Sequence, residues 1–539
     1  MDPPATLRGV TLVALVTLLA GCLNANPTPQ PSGARTATAL PSAASGAPNP
    51  TPSPTEPTAT FPLAVVTGIT NLKANITLDE LAALASRDRL VVPCGVAVQQ
   101  PVIATSAPCV AADAIAAELD GHQKRVGLLP PGLVEPATKV LSISGRGPFG
   151  MFGPDLFGDT KARAARYPVI GSALPDATLD PAWTTYDPTQ IWTMTNLGSL
   201  CADRWAAHQA VTLGKGWRWA FTGGTARYAA PAVVDPPNPP PFDQQFPVQE
   251  VDTGNDGATP RVLRRSDVAI ADHECPVVPS AGWQPRAITD ALNVFSVPDD
   301  VLPHWRDTLG LDVIYLAANH MSDQGVGGIR STLQLIDEFG IPRTGLGMDL
   351  SEALEPAYVD VAGLTVAFVA FNDVPGVVAA DDVTPGVAWI TRSNIDTAVG
   401  RAQEAGADLV ICNPQWWGGA EYHDDLWPQQ IEQLRWFDEA GCDHVIGSGT
   451  HVAGPLLLRG RGEEASVVLA SPGNYMFGQG WWQETQEGVI LDLTFQGTTL
   501  VNVRLRPTVQ VLAARPALLD PQGDGHYVLQ RIWKYAQLD

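Results

Sequence analysis

From about Gly216 onward, short apolar runs end repeatedly in small or polar residues. "WRWAFTGGT", "DVAIADHE", "DVIYLAANH", "LTVAFVAFND", "DLVICNPQ", "HVIGSGTH" and "SVVLASPGN" each read as a strand running into a loop. Between several of them the apolar period lengthens to that of a helix. "GIRSTLQLIDEFG" sets Ile329, Leu333 and Ile336 on one face, and "IDTAVGRAQEAG" and "QQIEQLRWFDEAG" behave alike. Each closes on a glycine, as a helix C-terminus favours. Strands alternating with helices predict an α/β domain with much of its sheet buried. Its functional loops are expected at the strand C-terminal ends. The stretch "GVILDLTFQGTTLVNVRLRPTVQVL" lacks a helical period and reads as an antiparallel hairpin. The "DPPNPPPF" run, Asp235 to Phe242, reads as a surface excursion.

A second, smaller α/β region is predicted over residues 61–206. "FPLAVVTGITN" reads as a strand and "ITLDELAALAS" as a helix. Thr77 and Glu80 have the spacing of a capping box, with Ile76 placed to staple onto Leu81. "TKVLSISG" reads as a further strand. The "LAVV…TN" strand before a "T-L-x-E-L" helix is similar to one lobe of periplasmic solute-binding proteins. An accessory domain without a ligand is the other reading of the same residues.

The first 60 residues follow neither pattern. Arg8 precedes an apolar run, Val10 to Ala20, that is too short to span a bilayer well. It ends in "LAGC", Leu19 to Cys22, which resembles the lipobox of bacterial lipoproteins. That resemblance implies cleavage of a signal peptide, residues 1–22, at Cys22 and acylation of its thiol. The acyl chains would anchor the chain to the outer face of the bacterial cytoplasmic membrane. Residues 23–60 are rich in Pro, Ser, Thr and Ala, and read as an unfolded tether.

Composition narrows the function. The chain has 539 residues, 45% hydrophobic, enough for large cores. Its net charge of −23 argues against a nucleic-acid binder. Beyond Cys22 the cysteines are Cys94, Cys109, Cys201, Cys275, Cys412 and Cys442, an even set that permits disulfides in an exported protein. Cys94 and Cys109 flank a short segment and are the first candidate pair; Cys412 and Cys442, near predicted strands, are the second.

Polar donors collect at the predicted strand ends: Asp272, His273 and Glu274; Asn319, His320 and Asp323; Gln415, Glu421 and His423; and His451. Carboxylate, Asn and His donors on several strand ends suit a di-metal hydrolase. The order and wording match a family. Residues from about 217 to 535 resemble bacterial capsule-synthesis proteins of the poly-γ-glutamate CapA type, relatives of calcineurin-like metallophosphatases. The resemblance rests on "LGLDVIYLAANHMSDQGVGGIRSTLQLIDEFGIPRTGLGMDLSEALEPAYVDVAGLTVAFVAF", on "GCDHVIGSGTHVAGP" with "LASPGNYMF", and on "ARPALLDPQGDGHYVLQRI". It implies a metallophosphatase-like four-layer sandwich over 217–539, two mixed sheets flanked by helices.

Against the family's motifs, "FTGGT" puts Gly224 where an Asp stands. Asp272 replaces Asn before the retained Glu274, and Ala318 replaces the first Asn of "A-N-N-H". Gln415 or Trp416 takes a His position, and Ser448 and Gly449 replace two imidazoles of the loop that ends at His451. What remains implies at most one divalent ion, Mn, Zn or Fe, on Glu274, Asn319 and His451 with Asp272 helping, and His320 as general acid. His273, His423 and Glu421 are candidate relocated donors. Trp416, Trp417, Trp481 and Trp482, near strand ends, are candidates to line a groove for a polymer.

Two functions follow as expectations. One is an anchored envelope protein that assists synthesis or export of an extracellular anionic polymer by binding it or its synthesis machinery. The other is a metal-dependent phosphoesterase or related hydrolase with a rebuilt site. A solute-binding protein is a third.

Overall fold

The alternation read from the sequence becomes two mixed sheets. In a computed structural model of the chain, residues 59–99, 109–120, 122–143, 167–232, 245–252, 257–286, 288, 293–480 and 482–538 are described. The expectations for the leader, Cys22, the tether to residue 58, Trp481 and the Pro-rich run fall outside them. The larger sheet follows the order 248–252, 225–228, 515–519, 499–511, 487–496, 191–201, 268–273, 313–315, 343–344. Strand Asn474–Phe477 pairs with 191–201 beside that path. The second sheet runs 357–361, 364–372, 409–415, 444–446, 466–469, 456–459, 537–538. The predicted hairpin is strands Glu487–Gln496 and Thr499–Val511, paired antiparallel.

The two sheets face each other across one apolar core. Trp192, Ile270, Tyr315, Leu491 and Val503 of the larger meet Phe368, Ile411, Ile446 and Val467 of the smaller. Helices cover both outer faces. Gly325–Phe339 buries Ile329, Leu333 and Ile336 beside Ile314 and Leu316. Arg392–Glu404 and Pro428–Ala440 bury Ile395, Val399, Leu434 and Phe437 beside Val369, Val410 and Val445. Because successive strand residues face opposite sides, Phe368 enters the inner core and Val369 the outer one. The order helix, sheet, sheet, helix is the expected four-layer sandwich.

Residues 60–173 build a smaller sheet in the order 90–91, 126–129, 64–68, 138–140. Its helix, Leu78–Ala85, starts on the capping box: Thr77 Oγ1 accepts from Glu80 N–H, and Glu80 Oε2 accepts from Thr77 N–H. This part has its own apolar cluster, which Val501 of the long hairpin joins. Val140 N–H donates to Asn502 Oδ1 (3.0 Å), and the Arg504 guanidinium donates to Val140 O (2.6 Å). Pro57–Asp539 forms one compact unit.

Two expectations are corrected. The boundary near 206–217 does not separate two sheets, because strand Ile191–Cys201 lies between 487–496 and 268–273 in the larger one. It is buried on both faces, its polar residues Thr193, Thr195, Asn196 and Ser199 included, so it carries no continuous apolar run to mark a central strand. The segment expected as an opening strand is instead the helical turn Trp217–Phe221. Trp217, Trp219 and Phe221 mimic a two-residue period in sequence, yet all three pack on the same outer core. Disulfides join Cys94 to Cys109, Cys201 to Cys275 and Cys412 to Cys442; the Cys201–Cys275 pair was not anticipated. No helix among the described residues is long and apolar enough to cross a membrane.

Candidate functional site

Parallel pairing brings the strand C-terminal ends together. Strands 191–201, 268–273 and 313–315 are parallel neighbours, as are 364–372, 409–415, 444–446 and 466–469. Their exits meet where the two sheets face. Asp272 and Glu274 are two residues apart and share one side of their segment, while His273 turns the other way. The His273 ring lies 4.4 Å from that of Trp305, its Nδ1 bonds Leu200 O (2.8 Å), and burial pushes its pKa down to about 4. It is a neutral structural imidazole, outside the site.

Asp272 and Glu274 are both buried. Neither Glu274 carboxylate oxygen has a hydrogen-bond partner, nor does Asp272 Oδ1. Burial, then the charge of Glu274, pushes the Asp272 carboxyl well above the usual carboxylate range, partly offset by the Ser448 and Ser199 hydroxyls. Ser199 Oγ lies 3.4 Å from Asp272 Oδ2. This serine corrects the reading at Gly224. Strand 191–201, not "FTGGT", enters the site beside 268–273, and its Gly198-Ser199 ending supplies the neighbouring residue. Gly224 sits in another part of the sheet, its N–H directed to Glu250 Oε1 (3.2 Å).

Asn319 and His320 follow strand Val313–Tyr315. The Asn319 Oδ1 accepts from Gln415 Nε2 at 2.8 Å, so the two sheets are tied here by a neutral amide pair. His320 Nδ1 bonds Asp323 Oδ2 (2.9 Å), and that same oxygen accepts the Phe295 N–H (2.7 Å). The imidazole packs against the Phe295 ring (4.5 Å), which carries the Arg204 guanidinium 4.4 Å from its centroid. Arg204 is buried, has φ 46°, and donates to Asn293 Oδ1 (2.7 Å). A buried non-glycine cation with positive φ beside a histidine–carboxylate pair marks a constrained polar site. Nothing in the local pattern singled it out.

His451 is buried with φ 58°, and Tyr422, whose ring lies 6.0 Å away, has φ 64°. The ring of His451 bonds Asn474 Oδ1 through Nδ1 (2.9 Å), leaving Nε2 as the free nitrogen. That nitrogen lies 3.8 Å from Glu274 Oε2. Asn474 is itself held by Gln479 Oε1 and Thr485 O (3.1 and 2.8 Å). A fixed tautomer with Nε2 turned to a carboxylate is how an outer amide orients a ligand imidazole. Asn474 lies in the quoted "LASPGNYMF" block, but the sequence assigned it no role.

The loop before His451 is packed by Trp416. Gly449 has φ 96°, and a Cβ there would lie 2.7 Å from Trp416 O and 2.9 Å from Gln415 Cγ. At Gly447 a Cβ would lie 2.3 Å from Ala470 O and 2.8 Å from the Trp416 ring. Trp416 is thus a core residue and lines no groove; Trp417 is half-buried, and Trp482 packs edge-on to Tyr422 (5.0 Å). His423 stacks on Trp427 (4.4 Å) and bonds Asp425 O through Nδ1 (2.9 Å), and among the described residues no contact ties its buried Nε2 to Asp272, Glu274 or His451. The structure brings together Asp272, Glu274, Asn319, Gln415, Ser448 and His451. Among the described residues no group of three or more His, Cys, Asp or Glu is placed to hold a metal ion.

Residues 241–479 match the family model described as bacterial capsule synthesis protein. This region is similar to capsule-synthesis proteins of the CapA type. The PGA biosynthesis protein CapA of Bacillus subtilis (strain 168) is 30% identical over 231 residues, 42% of this chain and 58% of that protein. The capsule biosynthesis protein CapA of Bacillus anthracis is 28% identical over 200 residues, 36% of this chain and 47% of that one. The chain therefore spans about half the length of the relatives it matches. Among solved structures it is similar to the NAD nucleotidase of Haemophilus influenzae, at 10% identity and a TM-score of 0.33, covering 65% of this chain and 64% of that one. The CapA-type match starts after strand 191–201, so the strand that supplies Ser199 lies outside the recognisable part.

Proposed function

We propose that the chain is an envelope protein that assists assembly or export of an extracellular anionic polymer by binding, held at the outer membrane face through an acylated Cys22. The observation that carries the binding reading is Gly449. Where the family resemblance puts an imidazole, this chain has a positive φ and a backbone oxygen 2.7 Å from the first side-chain atom. Together with Ser199, Gln415 and Ser448 at other donor positions, this leaves too few donors for two ions. A single divalent ion would draw on Glu274, with two unpartnered oxygens, and on the free Nε2 of His451, with Asp272 beside them, although among the described residues these groups do not converge as a ready metal cluster. Such an ion would supply fixed positive charge to a region that otherwise holds two buried carboxyl groups.

The chain's own residues divide the remaining work. Asn474 fixes the tautomer of His451, Gln415 holds Asn319, and Asp323 orients His320. The His320–Asp323 pair is what favours the second reading, a phosphoesterase-like hydrolase with His320 as proton donor. Elemental analysis of the purified chain separates the two. The binding reading expects no more than one Mn, Zn or Fe per chain and no phosphodiester hydrolysis above background. Two metals per chain, with hydrolysis abolished by His320→Ala, would overturn it.

A further inference from the structure

A strongly basic pocket lies far along the chain from this site, in a protein whose net charge is −23. It has a volume of about 500 Å³, and its lining includes Arg87, Arg89, Lys124 and Arg125 with a single carboxylate, Asp88. Arg125 is paired with Glu118. Among the described residues, Arg87, Arg89 and Lys124 have no carboxylate partner. Three uncompensated cations around one concavity repel each other, and an anion entering it relieves that repulsion.

The pocket is built on fixed backbone. Two turns form it, and each leads into a strand of one parallel pair, Leu90–Val91 and Val126–Leu129. In the first turn, Leu84 O accepts from both Arg87 N–H (3.1 Å) and Arg89 N–H (3.0 Å), with Asp88 at φ 52°. In the second, Arg125 N–H donates to His122 O (2.9 Å). Val126 N–H then donates to Arg89 O (3.1 Å) and locks one turn to the other. The guanidinium groups start from anchored backbone, which lowers the ordering cost of gripping a ligand.

The geometry points to a binding site for a short stretch of a polyanion that carries carboxylates. Guanidinium forks match a carboxylate through paired hydrogen bonds, and neighbouring cations match repeated charges along one polymer. A lipid surface fits less well, because the cations line a concavity, which admits a segment of a polymer but not a flat bilayer face. The identity of the ligand as a polymer rests on the function proposed above; the presence of an anion site does not.

The test is titration of the purified full chain with end-labelled oligoglutamate, in parallel with inorganic phosphate and with phosphatidylglycerol vesicles. Wild type is expected to bind oligoglutamate, more weakly as salt rises. The combined Arg87→Ala, Arg89→Ala and Lys124→Ala variant is expected to lose at least about tenfold in affinity. Arg89→Glu alone should weaken binding in the same direction, and unchanged melting of both variants shows that the fold is intact. Undiminished binding by the triple variant overturns the pocket and leaves the polymer reading standing. Binding by wild type to vesicles or phosphate, but not to oligoglutamate, overturns the polyanion assignment. Loss of that binding in the triple variant would then hand the pocket to a lipid headgroup or a free anion.

Discussion

The two sheets contribute unlike halves to the site where they meet. The ten-stranded sheet brings charge: Asp272, Glu274 and the His320–Asp323 pair. The seven-stranded sheet brings Gln415, Ser448 and Gly449, all neutral, and then His451. The neutral half is tied by Gln415 Nε2–H to Asn319 Oδ1 (2.8 Å) and Trp416 N–H to Ser448 O (3.0 Å), and its unpartnered atoms, Gln415 Oε1 and Ser448 Oγ, carry no charge. In the charged half the unpartnered atoms are carboxylate oxygens: neither Glu274 oxygen has a hydrogen-bond partner, and its charge helps push the Asp272 carboxyl up. Buried amides can pair with each other, whereas two buried carboxylates need a proton or a cation. The difference therefore places any demand for a ligand on one side of the cleft.

Covalent bracing follows the same division and gives the largest expected effect. Cys201 and Cys275 sit two residues after Ser199 and directly after Glu274, and close a loop with a sequence separation of 74. Cys412–Cys442 lies behind the neutral half at a separation of 30. Replacing the first pair with serine should lower the free energy of unfolding by about 4 kcal/mol, against about 3.5 kcal/mol for the second. Urea titration measures both, and a larger loss from the Cys412–Cys442 pair would break the comparison.

Acid should act on the neutral sheet through His444. It is fully buried in that sheet, accepts the Val467 N–H at Nδ1 (3.2 Å), and burial pushes its pKa down to about 4 from an ordinary 6.5. The unfolded chain takes the proton near 6.5 and the folded chain only near 4, so stability falls as pH drops through that window. The expected contribution is up to about 3 kcal/mol. Denaturation of wild type and His444→Gln from neutral pH to 4 should show the acid limb shrinking in the variant. Identical limbs would mean that His444 is not held neutral.

The smallest effect concerns Gly449. Gly449→Ala combines a left-handed φ with close contact to Trp416 O and should cost about 2 kcal/mol. At Gly363, where φ is also positive but a Cβ meets nothing, alanine should cost about 1 kcal/mol. Equal melting shifts for the two would show that the loop has room for a side chain, and would reopen the position to a ligand.

Much of this architecture was readable because it repeats a period. The helices that end at Gly340 and Gly441 bury the predicted faces, and both glycines take the left-handed cap conformation, φ 74° and 98°. The Thr77–Glu80 box and the 487–511 hairpin are local in the same sense. Where the pattern misled, a central strand buried polar residues in place of an apolar run, as at 191–201, or aromatic spacing imitated a strand, as at 217–221. The site was legible as residue types but not as partners. "GTH" marked His451, yet Asn474, which fixes its tautomer, and Ser199, which replaces Gly224 beside Asp272, come from distant segments.

The sequence alone determined the identities at the strand ends, the alternation that makes an α/β layered domain, and the family likeness of residues 241–479. These depend on spacing along one chain, which a sequence displays directly. Only the tertiary structure decided that strand 191–201 opens the site and that His273 stands outside it. It alone shows that Trp416 fills the space beside Gly449, and that Glu274 is left facing a free His451 nitrogen. Those outcomes depend on which side of a strand each residue faces and on what a remote segment puts there, and neither is written in local order.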